Sequence, residues 1–115
     1  MRRGDIYWVD LEPVRGSEAN KIRPAIIVST DAANRAAQRS GRGVVTVVPI
    51  TSRTGRIFPF QVLLRAKECG LDKDSKAQAE QVRSVAVTRL SHRAGTVPND
   101  LLAKLDAALR THLAL

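Results

Sequence analysis

Apolar residues in this chain fall into short runs separated by polar, glycine- and proline-marked stretches, with helical spacing in two places. Ile6-Tyr7-Trp8-Val9 follows a Gly4-Asp5 turn and is β-branched and aromatic, which predicts a strand ending at Asp10-Leu11-Glu12-Pro13. Val14 to Arg23 is polar and repeats at no structural period, so a surface loop is expected. Pro24 then leads into Ala25-Ile26-Ile27-Val28, an apolar run of the length of a buried strand, with Arg23 at its mouth. Thr30-Asp31 ahead of Ala32 to Gln38 predicts an N-capped helix of about two turns, stopped by Gly41 and Gly43.

Val44 to Ile50 is the strongest strand signal. The basic loop Thr51-Ser52-Arg53-Thr54-Gly55-Arg56 and Pro59 follow it, and Phe60 to Leu64 resumes a strand, so a hairpin is predicted around that loop. Gly70 to Asp74 reads as a turn, and Ser75 to Val87 alternates imperfectly as a further strand. After Pro98 and Asn99, the positions Leu101, Leu102, Leu105, Ala108, Leu109 and Leu113 recur at helical spacing and predict an amphipathic terminal helix. Its apolar stripe fits either the chain's own sheet or a second protomer. Many short strands with little helix predict a mainly β protein, a small antiparallel barrel. At 115 residues the chain forms one domain, 1-115.

Composition adds a partner class. Only Tyr7, Trp8, Phe58 and Phe60 are aromatic, so the core must be aliphatic. The formal net charge is +8, with nineteen Lys and Arg spread along the chain, and such an excess favours a polyanion, nucleic acid first. Cys69 is the sole cysteine, which excludes an intrachain disulfide and leaves too few ligands for a thiolate metal cluster. Met1-Arg2-Arg3-Gly4-Asp5 leads into no apolar signal region, and no stretch approaches the ~20 apolar residues of a membrane span. A soluble cytoplasmic protein is expected.

The chain holds no P-loop, GxGxxG, HExxH or GxSxG signature. His92 and His112, expected in a turn and in the terminal helix, are placed away from the basic loops, against a two-histidine acid–base mechanism. Asp72 and Asp74 fit local hydrogen bonding in a turn better than a metal site, so no cofactor is expected. What remains is Arg23 and Thr51, each where an apolar strand meets a polar loop and a rigid element can hold a reactive geometry. By position alone a solvated charge and a structural hydroxyl are the better readings of the two.

A longer string of motifs decides between these readings. Gly4-Asp5-Ile6-Tyr7-Trp8-Val9-Asp10-Leu11-Glu12-Pro13, Gly16-Ser17-Glu18, Arg23-Pro24, Val48-Pro49-Ile50-Thr51-Ser52, Pro59-Phe60-Gln61-Val62 and Glu80-Gln81-Val82-Arg83-Ser84 follow one another in order. Together they resemble the MazF/PemK family of toxin–antitoxin endoribonucleases, the mRNA interferases, over nearly the whole chain. The resemblance implies a small SH3-like antiparallel barrel with an amphipathic C-terminal helix, a scaffold shared with CcdB-like toxins. It implies a homodimer that binds RNA in a groove across its interface. It further implies metal-independent, sequence-specific cleavage of single-stranded RNA (messenger, ribosomal or transfer) through 2′-OH attack, leaving 2′,3′-cyclic phosphate and 5′-OH ends.

In that scheme Arg23 and Thr51 are the catalytic pair, Ser17 and Glu18 border the active site, and Gln81 lies near the RNA path. A cognate MazE-like antitoxin is implied, with DNA reached only through it and no membrane involved. Lys21, Arg53 and Arg56 are read as clamps on the RNA backbone, and Ser52 and Gln81 as candidate base readers. Ser52 to Ile57 is of the kind that varies among members, which leaves the cut sequence open. The competing readings are a gyrase-inhibiting toxin of the same fold and a plain nucleic-acid-binding barrel, for which four aromatics are few.

Overall fold

The computed structural model describes residues 1–11 and 22–115. Seven strands, β1 (Asp5–Asp10), β2 (Ile22–Ile27), β3 (Val44–Thr51), β4 (Gln61–Leu64), β5 (Ser75–Gln78), β6 (Arg83–Ala86) and β7 (Leu90–Thr96), form one antiparallel sheet in the described residues. Its order is β4-β5-β3-β2-β1-β7, with β6 also paired to β3. Three helices accompany it: α1 (Asp31–Ser40), α2 (Ala66–Cys69) and α3 (Asn99–Leu113).

The central strands are apolar on both faces, and alternation sorts their side chains into two cores. Ile26, Val48 and Ile50 point to one, where Leu101, Leu105 and Ala108 of α3 complete the packing. Ala25, Ile27, Val45 and Val47 point to the other, which Ala37 of α1 covers. The terminal helix therefore packs on the chain's own sheet, which settles the choice its periodicity left open. Both cores are aliphatic, as composition requires.

Helix α1 starts where capping chemistry predicts: the Thr30 hydroxyl accepts from the Ala33 N–H at 3.2 Å. It stops at Gly41, whose φ of +70° suits glycine. Arg3 ties three elements together, donating from Nε to the Val28 carbonyl at 2.9 Å and from Nη2 to Asp106 of α3 at 2.7 Å, while its N–H donates to Asp31 of α1.

Four expectations need correction. The predicted hairpin does not form, because β5 inserts between β3 and β4, pairing Thr51 with Lys76 on one side and Leu63 with Lys76 on the other. Residues 52–60 are longer than the roughly two to five residues of a tight hairpin loop and cross to the next position. The stretch from Ser75 to Val87 is two strands rather than one. Between the pairs Ile50–Ala77 and Val47–Arg83, β3 advances three residues while its neighbour uses six, and the surplus coils into a 3₁₀ turn at Ala79–Gln81. His92 lies on a strand, β7, and not in a turn. That strand is polar and pairs with β1 through two register shifts, so it lacks a period-two signature. Finally, Ile22 and Arg23 belong to β2 rather than to the loop before it. Among the described residues no helix is long and apolar enough to cross a membrane.

Candidate active site

Three neighbouring strands bring the two strand-end residues together. β1 and β2 pair Trp8 with Pro24 and Val9 with Arg23. β2 and β3 pair Ile27 with Val47 and Ala25 with Pro49, and the same register carried two residues further sets Arg23 opposite Thr51. Pro24 and Pro49 have no N–H to give to this ladder, so regular pairing of β2 with β3 ends at Ala25–Pro49. Beyond that point a cleft of about 360 Å³ opens.

Arg23, Thr51, Ser52 and Arg53 line this cleft together. Trp8 of β1 forms part of its wall, and the turn before β5 contributes Leu71, Asp72 and Lys73. Burial draws the Arg23 guanidinium pKa below its ordinary value, and the positive charge of Arg53 draws it down further. Among the described residues no carboxylate is within ion-pair distance of Arg23. The Thr51 hydroxyl accepts from the Arg53 N–H at 3.3 Å, which fixes its oxygen and leaves its hydrogen to donate elsewhere. The result is a cleft in which partly buried Arg23 and Thr51 meet exposed Ser52 and Arg53 beside an aromatic wall, with Asp72 and Lys73 on the opposite turn, a set of donors suited to a phosphodiester and an unstacked base.

The other expected residues lie elsewhere. Arg56 does not line the cleft; its guanidinium carbon lies 4.4 Å from the Phe58 ring centroid. Gln81 sits in the 3₁₀ turn and is not part of the lining either. Ser17, Glu18 and Lys21 lie outside the described residues. Asp74 acts locally, accepting from the Ala66 N–H at 2.8 Å, whereas Asp72 reaches the cleft. His92 is closer to the site than expected, its ring 6.2 Å from that of Trp8. Among the described residues no three His, Cys, Asp or Glu side chains converge as metal ligands.

Sequence reasoning missed Trp8, Asp72 and Lys73. Only the Thr51–Lys76 pairing shows that the turn preceding β5 must face the residues following β3.

A family model described as PemK-like, MazF-like toxin of type II toxin–antitoxin system matches residues 2–113. The chain belongs to this toxin family. Endoribonuclease MazF9 of Mycobacterium tuberculosis is 58% identical over 115 residues, spanning 100% of this chain and 98% of that protein. MazF from Deinococcus radiodurans superposes with a TM-score of 0.80 at 28% identity, covering 100% of this chain and 97% of the other. An endoribonuclease in complex with its cognate antitoxin, from a mycobacterial species, gives a TM-score of 0.76 at 25% identity over 100% of this chain and 96% of that one. The resemblance read from the motif string and the expected fold class, mainly β with a C-terminal helix on the MazF scaffold, are both borne out.

Proposed function

We propose that this toxin is an endoribonuclease that cuts single-stranded RNA at the cleft between β2 and β3, with Arg23 and Thr51 as its catalytic residues. The observation that carries this reading is their convergence, with Ser52 and Arg53, in one cleft where no described carboxylate is within ion-pair distance of Arg23. The endoribonuclease names of its relatives support it.

The substrate supplies the nucleophile. The 2′-oxygen attacks the adjacent phosphorus and gives its proton to solvent water, the P–O5′ bond breaks as the 5′-oxygen takes a proton from Arg23 that solvent then restores, and a 2′,3′-cyclic phosphate and a 5′-hydroxyl result. DNA, lacking the 2′-OH, cannot follow this path. Negative charge gathers on the non-bridging oxygens in the transition state, and the planar fork of Arg23 can hold two of them. Its lowered pKa makes Arg23 a better proton donor to the leaving 5′-oxygen and still a poor base, since guanidinium stays protonated near neutrality. Thr51 donates its hydroxyl hydrogen to the same phosphate, and Trp8 gives a flanking base a surface to stack on, worth about 1–3 kcal/mol.

No step in this scheme requires a metal ion. The protein acts in the cytoplasm as a homodimer, and a MazE-like antitoxin restrains it by covering the cleft, consistent with the antitoxin complex of its structural neighbour. Incubating purified protein with RNA in excess chelator and sequencing the 5′ ends is the test. Cuts that carry 5′-hydroxyls are expected, whereas intact RNA, or ends bearing 5′-phosphate, would overturn the reading.

A further inference from the structure

The loop between β3 and β4, residues 52–60, is held by two buried polar side chains, Lys76 and Gln61. Lys76 is a β5 residue with only 9% of its surface exposed, and its ammonium donates to the Arg56 carbonyl at 2.7 Å. The same nitrogen lies 5.7 Å from the Phe58 ring centroid, a ring that Arg56 also approaches. Gln61 at the start of β4 is 8% exposed. Its Oε1 accepts from the Phe58 N–H at 3.1 Å, and its Nε2 donates to Glu80 Oε2 at 2.7 Å. The Gln61 N–H closes the exchange by donating to the Phe58 carbonyl at 2.9 Å. Phe58 stacks on Phe60 at a centroid distance of 5.3 Å.

Asn34, Gln61, Ser75 and Lys76 are the buried polar or charged residues described, and two of these four hold the backbone of this one loop. Burying an ammonium is costly, and a well-packed apolar residue of similar volume commonly serves stability as well or better. What an apolar residue at position 76 would lose is the bond to the loop. That loop begins with Ser52 and Arg53, which enter the cleft, and a loop fixed before binding avoids the entropic cost of ordering it on the ligand.

We infer that Lys76 and Gln61 are positioning residues that set which RNA sequence is cut, by holding residues 52–60 in one conformation against the cleft. The inference rests on the nuclease reading above and adds to it the source of its base discrimination. Neither residue lines the cleft, so both act through the loop.

The test uses Lys76→Met, which keeps the apolar stem and removes the donor, beside Lys76→Arg, which can still donate, and Gln61→Met. Each protein is given an RNA pool randomised around a preferred cut, and the 5′ ends are sequenced. Discrimination between the preferred sequence and its single-base neighbours should fall by about tenfold or more in Lys76→Met and Gln61→Met. The saturated rate on the preferred sequence should stay within about threefold, and Lys76→Arg should restore much of the discrimination. Amide exchange in residues 52–58 should quicken in the Met variants alone.

Unchanged discrimination in an active Lys76→Met protein overturns the inference and leaves the nuclease intact. If the unmodified protein leaves the RNA pool whole, the nuclease reading itself fails and takes the inference with it. Thermal melting screens the variants for folding, and if Lys76→Met does not fold, Lys76→Leu, which also lacks a donor, carries the same comparison with the same outcomes.

Discussion

Arg23 on β2 and Thr51 on β3 line one cleft, each two residues past the last regular β2–β3 pair, Ala25 with Pro49. The two are more than twenty-five residues apart in the chain, and the sheet supplies their closeness. Their separation is therefore governed by strand pairing rather than by a flexible loop, which is the condition for a preorganised donor.

Removal of that donor should be severe and chemically specific. Arg23→Ala is expected to lower the cleavage rate about a hundredfold to a thousandfold without unfolding the protein. Arg23→Lys should remain well below wild type, because an ammonium lacks the planar fork. Thr51→Ser should retain most activity and Thr51→Val little. Single-turnover cleavage of a defined oligonucleotide, with circular dichroism as a control, measures all four.

Arg53 and Arg56, read together from the sequence as backbone clamps, should separate in solution. Arg53 lines the cleft, while Arg56 lies over Phe58. Arg53→Gln is expected to weaken RNA binding and flatten its log–log salt dependence by about 0.7, one phosphate contact on a single strand. Arg56→Gln should change the slope less. Equal slopes for the two variants would contradict the placement of Arg56 outside the cleft.

Cys69 gives the fold an alkaline weakness. Burial foremost, with the negative charges of Glu68 and Asp100 acting in the same direction, pushes its thiol up to about 11. The folded protein keeps the proton over a range in which the unfolded chain, with an ordinary thiol near 8.5–9, has released it. Stability contributed by this group is complete at neutral pH and is lost as pH climbs from about 9 to about 11, by an amount on the order of 2 kcal/mol. Denaturant melts across that range should fall more steeply for wild type than for Cys69→Ala. A thiol reagent should leave native Cys69 unmodified at pH 7.

Gly95 is a structural necessity of a different kind. A Cβ built there collides with the backbone carbonyl oxygen of Cys69, an atom that cannot swing aside as a flexible side chain can. Gly95→Ala should cost about 1–3 kcal/mol in a urea melt while leaving cleavage well below the melting temperature near normal, because Gly95 lies outside the cleft.

Elements with strong local chemistry were legible in the sequence. The Thr30 cap, the Gly41 stop, the Val44 to Ile50 run and the leucine stripe of α3 all sit where their patterns place them. The polar strand β7 was not legible, because its two register shifts erase alternation. Nor was the insertion of β5 between β3 and β4, since pairing partners are chosen in three dimensions and no local property of Gln61 to Leu64 names its neighbour. The same limit governed the site. Arg23 and Thr51 stood out by type and position, whereas Asp72 and Lys73 look like ordinary turn residues until β5 is laid beside Thr51.

The attachments of the 52–60 loop lie on β4 and β5, whereas Arg23 and Thr51 are carried by β2 and β3. On the proposed reading, the side chains that cut and those that set the address stand on different strands of one small sheet and meet where Thr51 pairs with Lys76. A transplanted loop segment that offers a carbonyl to Lys76 and an amide to Gln61, and that keeps Arg53 with its N–H on the Thr51 hydroxyl, would inherit the cutting pair. The scaffold is thereby open to retargeting, in evolution or by engineering, through one exchangeable segment.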